Sequence, residues 1–334
     1  MSPPCRRFEF CLSSVDREHV WPISILMHLF KGLVMFVVSP ENKATGCGLL
    51  AILLWSSTIG LIRGVSEALG PIGGAAIIYS VSSLFLLLLV GFPSLRSFPR
   101  KYLIAGGILF ASYEIFLSLA LGYANNRAQA IEIGMVNYLW PSFTILMAVL
   151  INGEKANKWL IPGLLLCLYG IGWIMGGEGG WSLPRIGRNI LSNPLSYGLA
   201  FCGALIWAAY CNITKKWAKG KDGVTLFFVL TAVTLWIQYA FSHERGMQMD
   251  VAAVVRFLVA GGASAVAYAA WNRGIMRGNL MLLATASYFT PVLSSLLAGV
   301  LLNTQLLLSF WLGVLMVTAG SLLCWLATRD AKRG

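Results

Sequence analysis

Residues 138–170, YLWPSFTILMAVLINGEKANKWLIPGLLLCLYG, and residues 288–320, YFTPVLSSLLAGVLLNTQLLLSFWLGVLMVTAG, decide the fold because they are two copies of one segment. A shift of 150 positions superposes Tyr138 on Tyr288, Pro141 on Pro291, Leu146 on Leu296, Ala148 on Ala298, Gly163 on Gly313 and Gly170 on Gly320. A shift of 152 places Trp55 on Trp207 and Arg63 on Lys215. Similarity at a nearly constant offset predicts an internal duplication, which is typical of membrane carriers.

The composition is that of a membrane protein. Of the 334 residues, 57% are hydrophobic and 11% are charged, and the mean hydropathy is +0.74. A chain of this size cannot enclose so much apolar surface in water, whereas lipid covers an apolar exterior. The apolar blocks are continuous and about twice as long as the alternating strands of a membrane β-barrel. The sequence therefore predicts an all-α polytopic membrane protein and excludes a water-soluble enzyme.

Ten apolar segments are long enough to be transmembrane helices. They cover residues 46–65, 71–91, 102–124, 128–151, 159–176, 194–217, 223–242, 252–274, 278–302 and 307–327. Each copy of the duplication holds five segments, an odd number, so the second copy must enter the membrane from the opposite side. We therefore predict two inverted five-helix repeats, 46–176 and 194–328, joined by a periplasmic linker, 177–193, and followed by a cytoplasmic tail, 329–334.

The positive charge is concentrated on one side of the predicted bundle. The chain has 25 Lys and Arg residues against 13 acidic residues, a net charge of +12. Most of these cations fall in alternate loops and the tail, at Arg96, Arg100, Lys101, Lys155, Lys158, Lys215, Lys216, Lys219, Lys221, Arg273, Arg277, Arg329, Lys332 and Arg333. Fewer fall in the other loops, at Arg63, Arg127, Arg185, Arg188, Arg245 and Arg256. Because cytoplasmic loops carry the excess of Lys and Arg, both ends of the ten-helix unit are predicted to be cytoplasmic, and the charge implies no nucleic-acid partner.

Residues 1–45 form an N-terminal extension with three interpretations. Its apolar stretch, 21–39, is interrupted by His28 and Lys31. It is an eleventh span, an interfacial helix, or upstream sequence from a start site placed too early, with Met35 as the in-frame alternative. We favour the last interpretation, because Lys31 and His28 interrupt an apolar run that nothing else in the chain requires. A cleavable signal peptide is not indicated, since the compact charged start and the small-residue cleavage site that mark one are both missing.

Several segments carry a resemblance to a known family. They are LLAILLWSSTIGLIRGVSEALGPIGGAAIIYSVS, SYEIFLSLALGYA, IEIGMVNYLWPS, IWAAYCNITKKWA, AYAAWNRGI, SYFTPVLSS and GSLLCWLATR. Over about residues 45–334 the chain resembles the ten-helix, EamA-type carriers of the drug/metabolite transporter superfamily, and among them the bacterial inner-membrane exporters of aromatic amino acids. The resemblance implies a multi-pass protein of the inner membrane that exports aromatic, and other bulky neutral, amino acids. The extension 1–45 lies outside the family pattern.

The sequence offers no chemistry for catalysis or for ATP hydrolysis. Its three histidines, His19, His28 and His243, lie in the extension or an outer loop, and a GxxxxGK[ST] motif is missing. The seven cysteines form no CxxC pair, so we interpret them as packing residues. We predict no cofactor and no metal. The energy for transport then has to come from a gradient of the substrate or of an ion.

Two polar faces are predicted to line a substrate pocket. Asn137, Trp140 and Thr144 have helical spacing in the fourth segment, and Ser287, Thr290 and Ser294 match them in the ninth. Pro141 and Pro291 free the carbonyls four residues earlier, those of Asn137 and Ser287, which could accept hydrogen bonds from a substrate amino group. The alternative is that these polar side chains only hold helices together and that the prolines only shape the bundle.

Interior aromatic residues are the second group of site candidates. The set comprises Tyr79, Tyr113, Tyr138, Trp140, Trp207, Tyr210, Tyr268, Trp271, Tyr288 and Phe289, with Asn272 beside Trp271. Together they could stack on a flat side chain, whereas each one alone is more typical of core packing. Trp159, Trp181 and Trp325 lie near helix ends and are interpreted as interface anchors.

Two carboxylates lie within predicted spans. Charge inside a membrane is costly, so Glu114 and Glu132 are candidates for binding the substrate ammonium or for carrying a proton. The alternative for both is a protonated carboxyl that joins two helices by a hydrogen bond.

Three functions remain open at this point. The first is export of aromatic amino acids by alternating access, with the bilayer and the small-molecule substrate as partners; the oligomeric state stays open, and a monomer is compatible with this function. The second is efflux of aromatic cationic drugs, which an aromatic pocket with Glu114 would also suit. The third is a receptor or scaffold that transports nothing, although an inverted repeat is not needed for that role.

Overall fold

The computed structural model describes residues 39–244 and 246–330, and this part of the chain is helical and contains no strand. Most of the N-terminal extension, the end of the predicted tail at 331–334 and the predicted outer cation Arg245 lie outside the described residues. The all-α architecture predicted from the sequence is therefore confirmed for the described ranges.

The described part contains fourteen α-helices and two single-turn 3-10 helices, Leu95–Ser97 and Gly177–Gly179. Those of the first repeat are α1 (Pro40–Ser56), α2 (Thr58–Leu69), α3 (Pro71–Val90), α4 (Arg100–Gly122), α5 (Arg127–Asn137), α6 (Trp140–Asn152) and α7 (Leu160–Met175). The linker forms α8 (Leu183–Ser192). Those of the second repeat are α9 (Pro194–Trp217), α10 (Val224–Phe241), α11 (Val251–Arg277), α12 (Leu280–Ser287), α13 (Thr290–Leu301) and α14 (Leu308–Asp330).

Seven membrane spans meet the requirements of length and apolarity, and an eighth is added if α1 and α2 form one bent span. Among the described residues, α7 and α13 are apolar but shorter and stand where the fifth and ninth segments were predicted. The count of ten spans stays a prediction.

The first span begins earlier and is more bent than the sequence suggested. Helix α1 starts at Pro40 rather than at residue 46, and the side chain of Ser39 caps it by accepting from the Asn42 amide at 3.1 Å. Residues 40–45, assigned above to the extension, are part of helix α1. The 42° bend between α1 and α2 falls at a pair of serines. The hydroxyls of Ser56 and Ser57 donate to carbonyls of the preceding turn, which bends helices.

Helices α7 and α14 show that the repeats are inverted. A Cβ atom added to Gly163 would lie 2.9 Å from the Gly320 carbonyl oxygen, and one added to Gly170 would lie 2.8 Å from that of Gly313. The two helices therefore run antiparallel with their backbones in contact along what we call the glycine seam, formed by these four residues. Since Gly313 and Gly320 are the repeat equivalents of Gly163 and Gly170, each helix packs on its own copy in the opposite direction.

The remaining packing has the same pseudo-two-fold symmetry. Helix α4 packs on α9 and α1 packs on α11, two pairings that exchange when each span is replaced by its equivalent in the other repeat. Helix α3 packs on α10, its own equivalent. The centre of the molecule therefore lies where α4, α9, α1 and α11 meet.

Hydrogen bonds between loops divide the molecule into two ends. At one, which we call the lysine end, Lys215 pairs with Glu154, the Tyr102 hydroxyl accepts from the Gly223 amide, and Thr45 accepts from the Asn279 amide. The ends of α1 and α14 that are nearest the chain termini lie there too, since the Asn157 amide donates to the Ala327 carbonyl.

The opposite end, which we call the arginine end, is held by charged side chains. Glu67 accepts from Arg63 at 3.0 Å and from Arg127 at 2.8 Å. Arg63 also donates to three carbonyls at the end of α4, and Arg127 donates to the carbonyl of Leu302. The arginine end thus ties together the first, third, fourth and ninth predicted segments.

Candidate functional site

The crossing of α4 and α9 positions the first part of the site. It brings the ring of Tyr113 to 4.4 Å from that of Trp207, measured between centroids, and the ring of Phe110 to 5.4 Å from that of Tyr210. Trp207 also stacks on Tyr210 at 5.0 Å and meets Trp140 edge-on at 6.3 Å. Trp207 therefore lies against aromatic rings from its own helix, from α4 and from α6.

The crossing of α1 and α11 supplies the second part. Trp55 lies 5.2 Å from both Tyr268 and Trp271, and Tyr268 lies 5.9 Å from Phe110. Phe110 therefore joins the two groups of rings. We use the name central aromatic cluster for ten of the connected rings, those of Trp55, Tyr79, Phe110, Tyr113, Trp140, Trp207, Tyr210, Phe228, Tyr268 and Trp271.

A buried carboxylate lies beside this cluster. Glu114, 7% exposed, accepts from the Tyr79 hydroxyl of α3 at 2.6 Å and from the Tyr268 hydroxyl of α11 at 2.9 Å. The Tyr79 oxygen is also 3.2 Å from the hydroxyl of Ser118, and either atom could be the donor. Each carboxylate oxygen thus has a tyrosine partner, one from each repeat.

Asn137 is a second polar group at the site, and it contacts the hydroxyl of Tyr113. Its side-chain amide nitrogen donates to the Tyr113 hydroxyl at 3.3 Å, but its side-chain oxygen is buried without a hydrogen-bond partner. Gly203 of α9 faces this oxygen, and a Cβ atom added there would lie 3.8 Å from it. A buried acceptor left unpaired is costly, so this oxygen is suited to a donor that arrives with a ligand.

The predicted polar faces assumed two unbroken helices, but both helices are broken within these faces. Helix α5 ends at Asn137 and α6 begins at Trp140, so these two residues and Thr144 do not share one continuous helical face. The second repeat breaks at the equivalent positions, Ser287 and Thr290.

Two of the proposed polar groups already have partners. The Thr144 hydroxyl donates to the Trp140 carbonyl, and the Thr290 hydroxyl donates to the carbonyl of Ser287. The Ser287 carbonyl therefore does not offer the vacant acceptor that Pro291 suggested.

Some predicted site residues lie away from the central aromatic cluster. The ring of Tyr288 lies 6.0 Å from that of Trp325 on α14, and Phe289 is exposed. Asn272 donates to Asp222 at the lysine end. Glu132 accepts from the Tyr197 hydroxyl at 2.9 Å and lies near Asn189 of the linker helix. Tyr138 is buried in the core between the breaks and the seam, while Ser294 is fully buried in α13.

The sequence did not single out three members of the cluster, Trp55, Phe110 and Phe228. Trp55 had a signal, because it is the repeat equivalent of Trp207. Phe110 lies one helical turn before Tyr113 and Glu114, on the same side of α4. Phe228 carried no comparable signal.

Two surface cavities lie outside the cluster. One of about 410 Å³ is formed by the turn between α13 and α14, and one of about 520 Å³ lies on α7 beside Trp181. Neither includes a predicted site residue.

The repeated architecture has a counterpart among known protein families. The model of the EamA-like transporter family matches residues 43–176 and 194–326, one copy for each repeat. The chain belongs to the EamA-like transporter family. It is therefore a multi-pass membrane transporter that moves a small-molecule substrate, and not an enzyme.

Among known EamA-like proteins, the chain is similar to three exporters. It is 56% identical over 289 residues to the aromatic amino acid exporter YddG of Salmonella typhimurium and equally to that of Escherichia coli K12; each alignment covers 86% of this chain and 99% of the relative. It is 29% identical over 266 residues to the aromatic amino acid exporter YddG of Ancylobacter novellus, covering 77% of this chain and 88% of the relative.

One solved structure shares the EamA-like fold described above. The two superpose with a TM-score of 0.63 at 25% sequence identity, and the superposition covers 88% of this chain and 99% of the other.

Proposed function

We propose that this EamA-like transporter exports aromatic amino acids by alternating access between its two repeats. The observation that carries the proposal is the unpaired side-chain oxygen of Asn137, buried beside the contacting rings of Tyr113 and Trp207. An amino acid with a flat side chain provides an ammonium donor for this oxygen and an aromatic ring that can stack on Trp207. The curated exporters of aromatic amino acids that are 56% identical to this chain support the same substrate class.

Each part of the site has a separate task in this proposal. The Asn137 oxygen accepts a hydrogen bond from the substrate ammonium, and Gly203 leaves room for that group. Trp207, Tyr210 and Tyr113 stack on the substrate ring. The symmetric breaks near Pro141 and Pro291 let the two half-helices of each broken span, α5 and α6 or α12 and α13, tilt relative to each other. All these groups come from one chain, so a monomer is sufficient.

The function is tested with the full chain in proteoliposomes by counterflow of labelled phenylalanine. We expect saturable exchange of labelled phenylalanine, with tryptophan and tyrosine competing and small aliphatic amino acids competing weakly. Labelled aromatic cationic dye is measured in parallel, because the carboxylate of Glu114 beside aromatic rings is the feature that would favour cation efflux. Exchange of the dye but not of phenylalanine would contradict the proposal, and exchange of neither would favour a protein that does not transport.

Replacing Asn137 with alanine is expected to weaken the apparent affinity for phenylalanine about tenfold. A hydrogen bond to a charged group contributes about 1.5 to 3 kcal/mol, and 1.4 kcal/mol corresponds to a factor of ten. The matched control is Asn152→Ala, which removes another interhelical asparagine, one bonded to Asn212 at the lysine end. Equal losses in both variants at equal expression would contradict a specific role for Asn137.

We propose that the protein lies in the inner membrane with its lysine end in the cytoplasm. The support is the excess of Lys and Arg in the loops of that end. In a cysteine-free variant, a cysteine at Lys219 is expected to react with an impermeant thiol reagent only after the cells are opened, whereas one at Asn126 reacts in intact spheroplasts. Labelling of both from the same side would overturn the orientation.

A further inference from the structure

Glu114 is a buried carboxyl whose partners are suited to two protonation states. When it is ionised, the Tyr79 and Tyr268 hydroxyls each donate to one of its oxygens. When it is protonated, it can donate to the Tyr79 oxygen, whose own hydrogen then turns to the Ser118 oxygen 3.2 Å away. Both states therefore keep their hydrogen bonds without moving a helix.

Among the residues that the structure describes, no cationic side chain is paired with Glu114. The neighbouring titratable groups are uncharged at neutral pH: Tyr113 of α4, Tyr79 of α3, Tyr210 and Cys211 of α9, and Tyr268 of α11. Helix α10 presents Phe228 to this region, and Arg63 of α2 and Glu132 and Arg127 of α5 lie at the arginine end. A carboxylate in such a place is stabilised by taking up a mobile cation, of which the proton is the smallest.

The hydrogen bond from Tyr268 to Glu114 joins the two repeats. Glu114 and Tyr79 belong to the first repeat and Tyr268 belongs to the second. The ring of Tyr268 also contacts Trp55 and Phe110, and Phe110 contacts Trp207. Neutralising the carboxylate weakens a charge-assisted hydrogen bond between repeats at the edge of the aromatic site.

We propose that Glu114, held by Tyr79 and Tyr268, is a proton-binding site that couples export to the inward flow of protons. The carboxylate takes up one proton from the outside after the substrate has left, carries it on the return step, and releases it to the cytoplasm as the next substrate binds. One proton enters for each zwitterionic amino acid that leaves, so one positive charge moves inward per cycle. Tyr268 is a positioning residue that transmits the protonation of Glu114 to the aromatic site. This inference rests on the proposed function.

The test is uphill transport driven by a pH gradient alone. Proteoliposomes with the full chain are loaded at acidic pH, diluted into alkaline medium with labelled phenylalanine, and held at zero membrane potential with valinomycin and equal potassium. Protons leaving the vesicles are expected to drive phenylalanine inward, about tenfold above equilibrium for each pH unit at one-to-one exchange. A protonophore abolishes the accumulation. Counterflow of phenylalanine without any accumulation would overturn the inference and leave the proposed function intact, whereas no counterflow would refute the proposed function itself.

Variants assign the coupling to Glu114. Glu114→Gln keeps hydrogen-bonding atoms for both tyrosines but cannot ionise, so we expect it to lose accumulation and to keep counterflow at constant pH. The matched control is Glu132→Gln, which alters another intramembrane glutamate with a tyrosine partner and should retain accumulation. Accumulation by Glu114→Gln equal to that of the wild type would overturn the assignment.

If Glu114→Gln loses counterflow as well as accumulation, the coupling role of Glu114 is tested with Tyr268→Phe. This variant removes the hydrogen bond between repeats and leaves the carboxyl in place. We expect the number of protons moved per phenylalanine, measured with an internal pH dye, to depart from one while counterflow continues. An unchanged ratio would overturn the coupling role.

Discussion

Replacing Gly320 with leucine is expected to leave little folded protein in the membrane. A Cβ atom at Gly320 would lie 2.6 Å from the Gly163 carbonyl oxygen and equally close to the Cys167 sulfur. The backbone oxygen cannot move aside, so α7 and α14 must separate along the glycine seam. Overpacking of this kind costs about 3 kcal/mol, and in a membrane close contact between helices is the main source of their association.

The measurement is the yield of monodisperse protein and its unfolding temperature in detergent. Gly198→Leu is the control, because Gly198 is also a helical glycine in a span but has open space around its Cβ position. It should be as stable as the wild type. Normal yield and stability of Gly320→Leu would mean that the close contact of α7 and α14 is not needed.

Replacing Trp207 with alanine is expected to raise the phenylalanine concentration needed for half-maximal counterflow about tenfold. The substrate ring loses a stacking partner, and an aromatic pair contributes about 0.5 to 1.5 kcal/mol beyond the burial of its surface. Substrates without a ring should be affected less. The comparison of phenylalanine with leucine is therefore the informative measurement.

Trp159→Ala is the control for Trp207→Ala, since Trp159 is an exposed tryptophan at a helix end. Trp325, the anchor suggested by the sequence, is less suitable because its ring lies near that of Tyr288. If Trp207→Ala impaired phenylalanine and leucine equally, Trp207 would be a packing residue rather than a substrate contact.

The sequence predicted the repeat architecture because the matching residues are those that the fold depends on. The paired prolines mark the symmetric breaks at Asn137 and Ser287, and the paired glycines form the seam. Such residues are restricted by backbone geometry and close approach, so both copies keep them and a simple shift of the sequence finds them.

The sequence could not predict how the breaks redirect side chains. A polar face assigned by helical spacing assumes one continuous helix, and both breaks end that continuity within the predicted face. Nor did the repeat predict that Tyr288 lies beside Trp325 of α14 while its repeat partner Tyr138 lies in the core.

The hydrogen-bond partners of Glu114 could not be predicted from the sequence either. Tyr79 and Tyr268 are 35 and 154 positions away from it. Each was an aromatic candidate by itself, but only the packing of α3, α4 and α11 brings their hydroxyls to one carboxyl group.

The different chemistry of the two ends makes the two half-cycles of transport unequal. Opening the arginine end means separating Glu67 of α2 from the Arg127 guanidinium of α5 and removing Arg63 from three carbonyls, whereas Lys215 at the lysine end is 65% exposed and has water to replace Glu154. The two half-cycles of a nearly symmetric molecule are then unequal in rate, with the step that opens the arginine end as the slow one. In the proposed orientation, with the lysine end in the cytoplasm, we expect an empty carrier to be open mostly to the cytoplasm and to take up little substrate from outside.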